Sequence, residues 1–118
     1  MTGRKETVEL ADFRRLEIRC GRILRAQAFP EARKPAIKLW IDFGDPVGIL
    51  QSSAQLVLHY SPEDLVETDV LAVVNFASMR IAGFKSECLV LGVIDPENPG
   101  GVVLVRPDQS GTQSWELG

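Results

Sequence analysis

One histidine and two cysteines are all that the 118 residues offer in side chains of those kinds. His59, in QLVLHYSPED, has no second histidine with which to share a metal ion. Cys20 and Cys88 stand far apart in apolar surroundings with no C-x-x-C pair, so they read as reduced, buried thiols and not as a disulfide or a zinc site. The sequence also lacks G-x-x-x-x-G-K-S/T, G-x-G-x-x-G, H-E-x-x-H and G-x-S-x-G. Without them there is no phosphate loop, dinucleotide fingerprint, paired-histidine zinc helix or nucleophile elbow. The carboxylates do not fill the gap: Glu63 and Asp64 fit the start of a helix, and Glu97 falls in a turn. The expected class is therefore a binding module, not an enzyme, with no metal or cofactor implied. Long apolar runs are missing too. None approaches the ~18 residues of a membrane span, and MTGRKETVEL holds no apolar stretch of the kind a signal peptide needs, so the expected compartment is the cytoplasm.

What is present describes an ordinary globular chain. With 45% apolar and 25% charged residues it is neither disordered nor fibrous. Its length suits one domain that buries about two-thirds of its unfolded surface. The formal net charge of −3 hides a division: residues 1–40 hold 10 of the 13 Lys and Arg and carry +5, whereas residues 41–118 carry −8. A polyanion responds to the local field, so a basic face on an acidic protein remains compatible with RNA.

Hydrophobic periodicity predicts strands nearly throughout. In residues 36–43, Ile37, Leu39, Ile41 and Phe43 alternate with Ala36, Lys38, Trp40 and Asp42, the pattern of a half-buried strand whose other face carries a cation and an aromatic ring. Leu16, Ile18 and Cys20 alternate with Glu17 and Arg19, and Gly21 allows a bulge before the strand resumes over residues 23–29. Residues 69–76 and 88–94 are continuous apolar runs of strand length, expected where both faces are covered. A short VVLV strand follows the turn-rich DPENPG of residues 95–100. Ser61, Pro62, Glu63 and Asp64 predict a short helix over residues 62–66, with an N-cap, a proline at the first position and acids in the first turn. Residues 10–13 suit a helical turn.

Short strands with one helix between the third and fourth predict an all-β protein, a five-stranded closed barrel of the OB-fold with N- and C-terminal extensions. An SH3-like barrel or a small sandwich is the rival. Residues 1–118 form one domain in this reading, with its core at about 12–106, a ragged start of roughly seven residues and a polar tail near 110–118.

Three segments carry a family likeness. Residues 21–44, GRILRAQAFPEARKPAIKLWIDFG, resemble the opening of the stand-alone tRNA-binding domain family, where a G-x-I strand precedes a Pro-x-Ala-x-Lys loop and a strand ending in V/I-D-x-G. Those positions are Gly21, Ile23, Pro30, Ala32, Lys34, Ile41, Asp42 and Gly44. GILQSSAQ occupies the place of the family's third strand. VNFASMRIAGFKSECLVLG is similar to its N-L-x-P-R-x-x-x-G-x-x-S-x-x-M signature, with Asn75, Gly83, Ser86 and Glu87 in register. Two positions depart: Ala77, Ser78 and Met79 replace the x-Pro-Arg, displacing the cation to Arg80, and Leu89 replaces the last methionine, a volume-conserving swap. Within the family, FPEARKPAIKLWIDFG and AGFKSE most resemble the CsaA group of export-related chaperones.

The resemblance implies an OB-fold homodimer that binds tRNA and, for that group, peptides or unfolded preproteins, with a protein-export motor as a further partner and no insertion into membranes. The alternative is a structure-specific tRNA-binding protein without a chaperone role. RNA binding needs cations for phosphates and flat rings for splayed bases. The expected tRNA contacts are Arg19, Arg22, Arg33, Lys34, Lys38, Asn75, Arg80, Lys85 and Ser86. The expected peptide contacts are Trp40, Met79 and Phe29, with Phe76 and Phe84 assigned to the core. Lys85, Ser86 and Glu87, ahead of an apolar strand, could be a simple turn, but the resemblance places them close to the subunit contact and the ligand surface. Dimerisation has a physical argument beside the resemblance: five strands are complete by about residue 94, so the apolar VVLV that follows needs cover from a second chain.

Overall fold

The computed structural model describes residues 3–98 and 100–118. Pro99, within the DPENPG turn, and Met1 and Thr2, within the ragged start, lie outside the described residues. In chain order the elements are α1 (Leu10–Arg14), β1 (Ile18–Phe29), β2 (Ala36–Asp42), β3 (Ile49–Ala54), α2 (Pro62–Leu65), β4 (Asp69–Val73), β5 (Met79–Ile81), β6 (Phe84–Ser86), β7 (Leu89–Val90), β8 (Gly92–Ile94) and β9 (Val102–Leu104). Five strands form one antiparallel sheet in the order β3-β2-β1-β4-β7, and β5-β6 and β8-β9 are separate hairpins. No helix among the described residues is long and apolar enough to cross a membrane.

β1 explains why the sheet curls. Its first half, from Ile18 to Arg22, pairs with β4, and its second half, from Arg22 to Phe29, pairs with β2, so one long strand serves two ladders. Gly21 sits at the crossing. A Cβ there would lie 2.6 Å from the Ile41 side chain and 2.7 Å from Phe43, which only glycine avoids. The bulge expected at Gly21 is instead at Leu24: Gly21 keeps regular register opposite Val70, and the shift falls between Ile23 and Arg25. The glycine serves close packing, and the bulge is placed where β1 changes partners.

The alternation of β2 is realised, with Ile37, Leu39, Ile41 and Phe43 all at most 1% exposed. They join Ile23, Leu56, Leu65 and Val70 in the core inside the curl. α2, between β3 and β4, closes one end of that core with Leu65 fully buried, and Ser61 and Asp64 form its capping box. β4 is covered on both faces, as its continuous apolar run predicts. The second such run behaves differently. It divides at Leu91 into β7 and β8, which belong to different sheets, and Leu89, Val93 and Ile94 stay exposed.

The edge strands β3 and β7 approach each other without forming a ladder among the described residues. The Glu87 amide donates to Gln51 O at 2.7 Å, the Ser52 hydroxyl to Cys88 O at 2.8 Å, and the Ser53 amide to Ser86 Oγ at 3.1 Å. The result is a curled half-barrel of the OB-like kind rather than the closed ladder expected. The end of the chain is also more ordered than a polar tail. The Leu117 amide donates to Ile18 O, the Cys20 amide to Trp115 O and the Ser114 amide to Cys20 O, laying residues 114–117 along β1.

Both cysteines are free and buried. Burial pushes the Cys88 thiol from its ordinary 9.0 up to about 12, against a hydrogen bond from Ser52 that acts the other way. Burial likewise raises the Cys20 thiol, opposed by Thr112.

Candidate nucleic-acid interface

Past the Leu24 bulge, the outer face of β1 carries Arg25 and Gln27, whose cross-strand partners on β2 are Trp40 and Lys38. The β5-β6 hairpin lays Phe84 against this face. Its two-residue turn, Ala82 and Gly83, has positive φ at both positions, as a tight hairpin of this hand requires. The Arg25 guanidinium lies over the Trp40 ring, 4.4 Å from its centre. Trp40 and Phe84 meet edge-to-face at 5.8 Å, Phe84 meets Phe29 at 5.5 Å, and the Lys38 ammonium sits 4.6 Å from Phe29 and 5.0 Å from Phe84. Each cation is held over ring faces, where the aromatic quadrupole attracts it. The β1-β2 connection at one end of this row carries Arg33 and Lys34, both exposed and without an ion pair among the described residues.

The remaining residues expected at a site fall elsewhere. The Arg19 guanidinium bonds Glu17 at 2.7 Å and Ser114 O at 3.0 Å and faces Glu116 at 3.6 Å, so it fastens the C-terminal segment to β1. Arg22 pairs with Asp69 at 3.0 Å, and that hydrogen bond raises its already high pKa. Asn75 bridges backbone: its carbonyl oxygen accepts from the Glu17 amide at 2.9 Å and its amide donates to Arg15 O at 2.8 Å. Ser86 accepts from Ser53, and Arg80 donates to Gly83 O across its own hairpin at 3.2 Å. Lys85 and Ser86 lie in β6 and not in a turn; the turn is one step earlier, at Ala82 and Gly83. The exposed Lys85 side chain directs its charge outward beside Arg80, its cross-strand partner.

Of the three expected peptide contacts, Phe29 is buried. At 2% exposure it is packed with Ala32 and Ala36 on the same face of β1 as Arg25 and Gln27, where Ile81 and Phe84 of the β5-β6 hairpin and the Lys38 ammonium cover it. Trp40 is half-buried within the cationic row. Met79, 66% exposed, lies apart from both, in a groove of about 250 Å³ lined by Phe76, Ile81, Ser86, Cys88 and Leu89. Phe76, expected in the core, is 48% exposed on that groove, since β4 ends at Val73 and leaves it beyond the sheet. Sequence reasoning also passed over Arg25. The signal that places it is the cross-strand register, which depends on where the bulge falls.

A curled antiparallel sheet with a helix between its third and fourth strands, bearing cations and aromatic rings on its outer face, is an OB-like ligand-binding domain. Its kind is narrower than that. Residues 18–114 match the family described as "Putative tRNA binding domain", and the chain belongs to that family, a tRNA-binding domain and not a catalytic one. The structure is similar to the chaperone CsaA of Bacillus anthracis, at 45% identity and a TM-score of 0.89, covering 96% of this chain and all of that one. It is similar to the CsaA chaperone protein of Picrophilus torridus at 41% identity and a TM-score of 0.85, covering 95% of this chain and 100% of that one. The chain is also 32% identical over 105 residues to the methionine–tRNA ligase of Archaeoglobus fulgidus, a match to 89% of this chain but only 15% of that enzyme.

Proposed function

We propose that this protein binds tRNA through the outer face of β1 and β2 and the basic loop between them, and that it also acts as a chaperone for peptides or unfolded preproteins in export. The observation that carries the tRNA half is the row of Arg25 and Lys38 over aromatic rings, continued by the exposed Arg33 and Lys34, which form no ion pair among the described residues. Phosphates are met by the loop cations and bases by the rings, the two needs of RNA recognition on an OB-like surface. Arg80 and Lys85 extend the positive field along β5 and β6. Arg19, Arg22, Asn75 and Ser86 support the face from within the fold.

The chaperone half draws on the similarity to the CsaA structures and on the Met79 groove. Methionine and aromatic side chains repack around varied partners, which suits capture of unrelated segments. The reading includes a cytoplasmic homodimer, favoured by the exposed cross-strand pair Val93 and Val103, with an export motor as a further partner. It also includes barrel closure along Gln51, Ser53 and Glu87.

Binding of tRNA measured across a salt series tests the first half. Replacing Arg33 and Lys34 together by alanine is expected to reduce the slope of log K against log salt by about 1.4–1.8. Salt-insensitive binding, or an unchanged slope in the double variant, refutes it. For the second half, the uncharged change Met79→Ser is expected to abolish capture of a reduced, carboxymethylated polypeptide and leave tRNA affinity intact. Capture that survives the change moves the site away from this groove; no capture by the unaltered protein leaves a tRNA-binding protein alone.

A further inference from the structure

Arg25 occupies an unusual place in the row. Lys38 is enclosed between Phe29 and Phe84, and Trp40 is covered by Arg25 on its face and meets Phe84 edge-to-face. Arg25 is exposed and forms the outermost member of this stack. It makes no ion pair among the described residues, and there its guanidinium donates to Gln27 Oε1 at 3.3 Å. The Leu24 bulge creates this placement. With unbroken alternation Arg25 would follow Ile23 to the inner face; the extra residue turns it outward, opposite Trp40.

A guanidinium fixed over an indole presents a flat, cationic surface to solvent. Nucleobases stack on arginine planes as they do on aromatic rings, and only bases not paired in a duplex can present a face to one. We infer that Arg25, held by Trp40, is a stacking site for an unpaired nucleobase, so that the β1-β2 face reads single-stranded RNA segments and the loop cations hold the adjoining phosphates. The inference rests on the tRNA reading for its biological ligand, but its chemistry is testable without tRNA. Lysine at position 25 keeps the charge and loses the plane.

The chain has two tryptophans, Trp40 and Trp115, so a Trp115→Phe background leaves Trp40 as the single fluorescent indole. In that background a twelve-nucleotide oligo(A) is expected to quench Trp40 emission, and a blunt-ended, fully paired RNA duplex to bind without quenching. Arg25→Ala and Arg25→Lys are both expected to weaken oligo(A) about tenfold. Only the alanine variant lowers the salt slope, by about 0.7 for single-stranded RNA. Full affinity in Arg25→Lys, or no quenching by bound oligo(A), overturns the stacking site. If unfractionated tRNA binds with a steep salt dependence while Arg25→Lys is silent, the tRNA reading stands and this inference falls. If oligo(A) quenches and tRNA does not bind, the site stands and the tRNA reading falls.

Discussion

In the first half of β1, Arg19 and Arg22 each meet a carboxylate, at 2.7 Å and 3.0 Å, whereas in the second half Arg25 meets an indole at 4.4 Å. The three arginines lie within seven residues of one strand, yet their neighbours come from different places. β4 brings Asp69 to the first half and the C-terminal segment brings Glu116, while β2 brings Trp40 and Lys38 to the second. A paired guanidinium has little left to give a phosphate. One over a ring keeps its hydrogen-bond donors and its charge for a ligand. The +5 of residues 1–40 therefore overstates the basic surface, because part of it is neutralised inside the fold.

Gly21 joins the two halves, and changing it tests whether they depend on one core. Gly21→Val is expected to cost at least 1–3 kcal/mol in urea unfolding, because the new side chain overlaps Ile41 and Phe43. An unchanged midpoint would mean that the halves are not locked together there. The next effect separates the two groups of cations. Arg19→Ala is expected to lower stability by about 1 kcal/mol, discounted for its partly exposed partners, and to leave tRNA affinity as it was. The Arg33 and Lys34 double variant should do the reverse, with affinity lost at low salt and the unfolding midpoint kept. If Arg19→Ala weakens tRNA as much as that pair does, the contrast between paired and free cations collapses. The smallest effect serves as a control that touches neither half. Cys88, raised to about 12, contributes stability that is complete below its ordinary value of 9.0 and is lost as pH rises toward 12. Between pH 8 and 9 the unfolding free energy should fall by about 0.4 kcal/mol on this account, and Cys88→Ala should flatten that part of the dependence.

Local pattern made much of this legible. The alternation in β2, the capped start of α2, the helical turn at α1 and the doubly covered β4 could be read because each depends on residues adjacent in the chain. The apolar run of residues 88–94 misled for the same reason: composition shows that residues prefer burial, not whether anything within one chain covers them. Leu89, Val93 and Ile94 remain exposed although their spacing is that of β4. At the site, Lys38 beside Trp40 followed from period two alone, whereas Phe29 and Phe76 exchanged their expected places. Phe29 ends β1 and Phe76 lies three residues beyond β4, places where the neighbouring elements decide which way a ring turns.

The sequence by itself determined the class of this molecule: an all-β binding domain, its cations concentrated in the first forty residues and its family likeness spread over three segments in order. The tertiary structure decided which cations remain available. Ion pairs and ring contacts form between residues distant in sequence, such as Arg22 with Asp69 and Trp40 with Phe84, and a single extra residue at Leu24 reverses the face that Arg25 presents. Charge is a property of the chain, but its availability depends on the distance to the nearest partner, and that distance exists only once the strands have paired.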